Sequence, residues 1–281
     1  MTIAVTAVSG HLGRAIAEAL IAMPDAGTVI GLARTPANAA GLGIDVRPGD
    51  YTRPDQLKTS LAGVNTLLLV SGMDAPDARI QQHRNVIEAA KAAGVSKIVY
   101  TSIQGPETGT TFSPVVQSNR QTEADIRASG LAWVIGRNGI YIEPDIEYID
   151  SYKARGEIAN SAGDGQCGYT TRAELAQAYA SLLTGAHLDG QTVNLHGERI
   201  TQTQLTSFMN TAFGTRLVYR ALTPAEYLAD RTGELGDFIG GVIAGIYDGI
   251  RLGAYDNPGD FEAVTGRPHQ GWDAYFRSLH T

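Results

Sequence analysis

An α/β fold, a doubly wound parallel sheet followed by a smaller and mostly helical lobe, is predicted by two observations. In the first half of the chain, short runs rich in Val, Ile and Leu alternate with segments of helical periodicity. These runs are apolar on both faces, as strands covered by helices on either side must be. From about residue 145 the alternation fades and helical patterns take over.

The candidate strands are 3–6, 29–33, 66–70, 97–101 and 133–136, and the candidate helices between them are 11–22, 54–61, 77–94 and 116–129. In 77–94 the apolar Ile80, Val86, Ile87 and Ala90 face one way, and Gly94 is a fitting stop. Later helices are expected at 172–184, 201–213 and 223–231, with one short strand at 192–195. The reading is a sheet domain over 1–145 and a smaller lobe over 146–281 interleaved with it, since no Pro- or Ser-rich linker divides them.

Composition narrows the function. A chain of 281 residues, 43% hydrophobic and 18% charged, can bury a full core. Its net charge of −7 argues against a nucleic-acid partner, which calls for surplus Lys and Arg. The single Cys167 can form no internal disulfide, which suits a reducing compartment. The first residues lack the basic start of a signal peptide, and no run approaches the roughly 18 apolar residues of a membrane span. A cytoplasmic protein, monomer or homodimer, is expected.

The first strand runs into Thr6-Ala7-Val8-Ser9-Gly10-His11-Leu12-Gly13, and helical periodicity begins at once. Strand, glycine-rich turn and helix together aim backbone N–H groups and a positive helix end at a pyrophosphate. Gly10 would let phosphate approach the backbone, and Gly13 would let helix pack on strand. Ala7 stands where this Rossmann-type fingerprint has its first glycine; if the position needs φ > 0, alanine costs about 1–2 kcal/mol. The second strand ends Ala33-Arg34-Thr35, with an arginine and no acid, which favours NADP(H) over NAD(H). Asp50, after Pro48-Gly49, is read either as an acceptor for the adenine amino group or as a helix N-cap.

Further residues carry a resemblance. His83-Arg84-Asn85-Val86-Ile87-Glu88-Ala89-Ala90-Lys91-Ala92-Ala93-Gly94-Val95 and Ile98-Val99-Tyr100-Thr101-Ser102 resemble the NmrA-like group of atypical short-chain dehydrogenases. Arg137-Asn138-Gly139-Ile140-Tyr141 and Ala162-Gly163-Asp164-Gly165 continue it in order, over residues 2 to about 215. The similarity is strongest to its quinone oxidoreductase and triphenylmethane reductase branches. It implies that Thr6, Ser9, Gly10, His11, Leu12 and Gly13 surround the pyrophosphate and that Arg34 meets the 2′-phosphate. It also places Ser71, Gly72 and Met73 under the ribose and nicotinamide side, with Thr101, Ser102, Asn138, Gly139, Ile140 and Tyr141 flanking the nicotinamide. Asn119 to Glu123 reads Asn-Arg-Gln-Thr-Glu where the group has a histidine before Thr-Glu, which leaves that helix without an expected catalytic group.

The usual Tyr and Lys pair, four residues apart, is missing. Lys58, Lys91, Lys97 and Lys153 are preceded at that spacing by Pro54, Ile87, Ala93 and Ile149. A quinone needs less help, because its hydroquinone anion takes a proton from water. The expected activity is therefore NADPH-dependent hydride transfer to a small quinone or similarly electron-poor conjugated compound. Tyr141 is the candidate wall for the substrate and Asn138 the candidate for orienting its carbonyl. The alternative is a protein that binds NADP(H), does no chemistry and reports redox state. The six histidines show no metal spacing with one another or with Cys167, which is read as a loop residue. Gly241, Gly245, Gly249 and Gly253, four apart on a helical stripe, signal either close packing or a pliable lid.

Overall fold

The apolar runs of the first half become strands of one parallel sheet in this computed structural model, which describes residues 1–106 and 113–279. In chain order come β1 (Thr2–Val5), α1 (His11–Ile21), β2 (Thr28–Ala33), β3 (Asp45–Pro48), α2 (Pro54–Ser60), β4 (Thr66–Leu69) and α3 (Pro76–Ala92). β5 (Lys97–Ile103), α4 (Ser113–Arg127), β6 (Ala132–Asn138) and β7 (Ile140–Tyr141) follow. Next are α5 (Glu143–Glu147), α6 (Ile149–Arg155), β8 (Glu157–Asn160), β9 (Cys167–Thr170), α7 (Arg172–Thr184) and β10 (Thr192–Leu195). The chain ends with β11 (Arg199–Ile200), α8 (Gln202–Phe213), β12 (Val218–Ala221), α9 (Pro224–Leu235), α10 (Asp237–Arg251), α11 (Phe261–Thr265) and α12 (Trp272–Ser278).

The seven-stranded sheet has the order β10-β6-β5-β4-β1-β2-β3, every neighbour parallel. Strand order reverses between β1 and β4, which makes the carboxyl ends of these strands the place where such a sheet binds ligands. The strand expected at 192–195 belongs to this sheet: β10 pairs with β6, Val193 beside Gly136. The chain therefore leaves the sheet after β6 and returns to it through α7, which packs on α1.

Each face of the sheet has its own apolar layer. On one, Ile16 and Leu20 of α1 meet Leu175, Tyr179 and Leu183 of α7. On the other, α2, α3 and α4 bury Leu57, Val86, Ile87 and Ile126. The lobe has a third core containing Ile158, Tyr169, Met209, Trp272 and Phe276, braced by short sheets of β11-β9-β7 and β12-β8. Cys167 corrects the sequence reading: it opens strand β9 and is wholly buried in this core, where desolvation pushes its thiol up.

The glycine stripe is also reassigned. Gly240, outside the four-residue spacing, is where α10 crosses α9, since a Cβ there would lie 2.5 Å from the Arg231 backbone. Gly249 meets the Tyr255 ring at 2.7 Å, Gly241 faces open space, and Gly253 is a turn residue at φ +75° beyond the helix. Among the described residues, no helix is long and apolar enough to cross a membrane.

Candidate nucleotide and substrate site

The turn between β1 and α1 answers the question left at Ala7. Its φ is +52°, and it is the only non-glycine at positive φ among the described residues. The chain holds this left-handed conformation at a cost of about 1 kcal/mol. In return the Ala7 carbonyl accepts the Gly10 N–H at 2.9 Å and closes the turn. That carbonyl would lie 2.4 Å from a Cβ on Gly13, so only glycine lets α1 sit this close to β1. Gly10 differs: a Cβ there would come no nearer than 3.4 Å to any protein atom. The protein's own packing does not demand glycine at that position, and the missing side chain leaves the backbone open to a ligand.

Nothing in α1 competes for an anion. Gly10 is its N-cap, no side chain caps it, and its first turn holds no acid. The free N–H groups and the positive helix end therefore fit a pyrophosphate. Ser9, Gly10 and His11 are exposed at this mouth, while Leu12 and Gly13 are buried in the helix-strand contact.

Arg34 stands one residue beyond β2, exposed, with no hydrogen bond or ion pair among the described residues. Its charge acts on Asp50, whose carboxylate accepts from Thr52 N at 2.9 Å and Thr52 Oγ1 at 2.8 Å. Those bonds, and then Arg34 and Arg53, hold the Asp50 pKa below the usual carboxylate range. Asp50 is not a helix cap: α2 begins at Pro54 behind Arg53, and the carboxylate closes a local turn instead. An unpaired guanidinium at this edge suits a dianionic phosphate. Arg34→Ala is expected to weaken NADPH binding roughly ten- to a hundredfold, the worth of a hydrogen bond to a charged group. NADH binding should change little, and calorimetry with both cofactors checks this.

The ends of β1, β4 and β5 are stitched together by hydroxyls. Thr6 Oγ1 accepts the Val70 N–H at 2.9 Å, and Thr101 Oγ1 accepts the Ser71 N–H at 2.9 Å. Gly72 N–H donates to His83 Nε2 at 3.0 Å, which leaves Nδ1 to carry the proton and donate to Thr122 Oγ1 at 2.9 Å. Burial, and after it the nearby Arg79, drive the His83 pKa down to about 3, so this imidazole stays neutral. Met73 lies just beyond, 86% exposed, an apolar side chain at the open edge of the sheet.

At the end of β6, the Asn138 amide is engaged on both sides. Its Nδ2 donates to the Tyr141 hydroxyl at 3.0 Å, and its Oδ1 accepts from the Tyr179 hydroxyl at 2.6 Å. Asn138 thus orients Tyr141 from within the protein, and Tyr141 itself is half-buried against the core. Gly139 is no free turn residue either: a Cβ there would lie 2.5 Å from Gly168 O, so the β7 segment requires glycine to reach β9. Desolvation raises the Tyr141 pKa to about 12, outweighing the Asn138 hydrogen bond and the Arg172 guanidinium that lies 5.8 Å over its ring. Ser102 is occupied in the same way, donating to buried Glu123 at 2.7 Å. Thr6, Ser71 and Thr101 are therefore brought together at adjacent strand ends, with Asn138, Gly139, Ile140 and Tyr141 one strand further on.

A model of the NAD(P)H-binding family matches residues 8–185. The chain belongs to the NAD(P)H-binding family. Within it, quinone oxidoreductase 2 of Escherichia coli strain K12 is 35% identical over 233 residues, covering 81% of this chain and 80% of that protein. An NmrA-like family domain-containing oxidoreductase of Aspergillus flavus is 31% identical over 233 residues, covering 80% and 75%. The crystal structure of the Escherichia coli NADPH-dependent quinone oxidoreductase complexed with NADPH is similar at TM-score 0.92 and 30% identity, over 99% of this chain and 100% of that one. The NmrA-like resemblance read from the sequence is thereby upheld.

Reasoning from sequence missed the residues behind the cleft. Arg79, His83, Tyr100, Asn119 and Tyr179 all touch a predicted site residue. His83 and Tyr100 were in view within the matched motifs, but nothing in spacing showed which strand end they would reach. Among the described residues, no group of three or more His, Cys, Asp or Glu side chains is placed to hold a metal, and His280 lies outside them.

Proposed function

We propose that this member of the NAD(P)H-binding family is an NADPH-dependent reductase of quinones or similarly electron-poor conjugated compounds. The observation that carries it is the pairing of an uncapped α1 N-terminus at Gly10 with the unpaired Arg34, a cradle for a pyrophosphate and a 2′-phosphate. The names of the similar proteins support the quinone side. Bound NADPH supplies the hydride. The chain's own residues hold the cofactor edge, present Tyr141 as a flat wall, and keep the acceptor aligned.

Among the described residues, no acid or base tuned to neutral pH stands beside that wall. Tyr141 is held up at about 12, while burial keeps His83 and His196 below the ordinary imidazole value. A protonated tyrosine is a hydrogen-bond donor but a poor base, so secondary alcohols are not expected to be oxidised usefully. The reading is tested by mixing NADPH-loaded protein with a panel of quinones in stopped flow. Hydride transfer at saturating NADPH is expected within a single turnover and nearly flat between about pH 6 and 8, because no group tuned to this range faces the acceptor among the described residues. Tight NADPH binding with no transfer to any quinone would favour a redox sensor instead.

A further inference from the structure

Arg79 is 5% exposed, yet no carboxylate pairs with it among the described residues. Its guanidinium donates to Ser71 Oγ at 2.5 Å, to Ser118 Oγ at 3.2 Å and to Asn119 Oδ1, while its Nε has no partner. A buried cation held only by neutral acceptors is costly, and proteins keep such groups where the charge has work to do. Among its partners is Asn119, which is 2% exposed and sits on α4 within reach of Ser71 at the end of β4.

An amide's oxygen and nitrogen are distinguished by their partners. Arg79 can only donate, so the atom it grips must be Oδ1. The Tyr100 hydroxyl, at 2.8 Å, and the Ser71 hydroxyl, at 3.2 Å, close on the same oxygen. Three donors thus fix the side chain, and its two Nδ2–H groups are directed away from them. Nδ2 donates to nothing among the described residues, yet it is not one of the sealed polar atoms left without a partner. It is an unused donor near Ser71, at the strand ends where a sheet of this order takes ligands.

We infer that Asn119 is a catalytic residue, donating through Nδ2 to the acceptor's carbonyl oxygen, with Arg79 as the positioning residue that fixes and polarises the amide. This rests on the reductase reading above. As hydride reaches the conjugated acceptor, an electron pair moves onto that carbonyl oxygen, which later takes a proton from water. A fixed N–H aimed at the oxygen stabilises charge that exists only after transfer begins, as the donors of an oxyanion hole do.

The test compares wild type, Asn119→Leu, Asn119→Asp and Asn119→His, each loaded with NADPH. Asn119→Leu should lower single-turnover quinone reduction about a hundredfold, the usual loss on removing one such donor, with NADPH affinity kept within about threefold. Asn119→Asp retains the oxygen that Arg79 grips and removes the donor, so it must show a loss at least as large if the leucine variant does not fold. Asn119→His regains an N–H and should recover to within about tenfold of wild type. A readout apart from turnover is binding of 4-nitrophenolate against neutral 4-nitroanisole. Loss of the donor should weaken the phenolate about tenfold and the anisole far less. Equal losses for both probes, or a folded variant that transfers hydride at the wild-type rate, would overturn the inference alone. A wild type that binds NADPH but reduces no quinone would overturn it together with the reductase reading.

Discussion

Glu123→Ala is expected to cost about 3–5 kcal/mol of stability, the penalty for removing one partner from a buried ion cluster. Glu123 is fully buried on α4 and accepts from Arg137 Nε at 2.9 Å and NH2 at 2.6 Å, Arg120 NH1 at 2.8 Å, Arg127 NH2 at 3.1 Å and Ser102 Oγ at 2.7 Å. Desolvation alone would raise its pKa, but the bond from Arg137, the charge of Arg120 and the Ser102 hydroxyl together hold it below the ordinary glutamate value. Alanine would leave Arg120 and Arg137 buried without this carboxylate. Arg120 also donates to the carbonyls of Ile103 and Gly105, at 3.0 and 2.8 Å, so the end of β5 should loosen with it. Glu123→Gln keeps the shape and one acceptor and should lose less than alanine. The depressed pKa fixes the sign of the pH dependence. Glu123 contributes its full stability above the unfolded glutamate pKa near 4.3 and loses it as pH falls through its lower folded value. Urea unfolding of the three proteins at pH 7 and at acid pH measures this, and a change below 1 kcal/mol for alanine at pH 7 would refute it.

The sequence disclosed the fold more fully than the site, for physical reasons. Strands 3–6, 66–70 and 97–101 are buried on both faces, so unbroken apolar runs had few other structures open to them. The phosphate turn was legible because its chemistry is local: the eight residues from Thr6 to Gly13 set the strand end, turn and helix start. Glu123 was legible only as part of a motif, since its three arginines come from α4 and from β6 and no periodicity announces their meeting. Asn138 is a related case. Its amide looks available in the sequence, but Tyr179, forty-one residues later, returns on α7 to occupy its oxygen. Asn119 drew no expectation of chemistry because its helix departs from the group's pattern, and its partners Arg79 and Tyr100 come from α3 and β5, which no spacing announces.

The lobe holds the second large effect, and it has the opposite sign. Asp145, on the short helix α5, is 5% exposed and no cation is paired with it among the described residues. Its Oδ1 accepts from the Tyr152 hydroxyl at 2.8 Å and the Tyr247 hydroxyl at 3.5 Å. These bonds favour the carboxylate, but desolvation outweighs them and raises the Asp145 pKa from 3.8 to about 6. A folded pKa above the unfolded one means that the native state holds the proton more tightly. Asp145 therefore weighs least on stability below about pH 4, the unfolded value. Stability falls as pH rises from there to about 6, then stays lowered by about 3 kcal/mol, the worth of roughly two pK units. Asp145→Asn keeps an oxygen for the Tyr152 hydroxyl and removes the charge. It should stabilise the protein by up to about 3 kcal/mol at pH 7 and hardly at all near pH 4. Because other groups titrate over the same range, the quantity to follow is the difference between mutant and wild type, measured by urea unfolding at several pH values. A difference that is constant with pH, or that favours wild type at pH 7, would mean that the tyrosine hydroxyls compensate the buried charge in full.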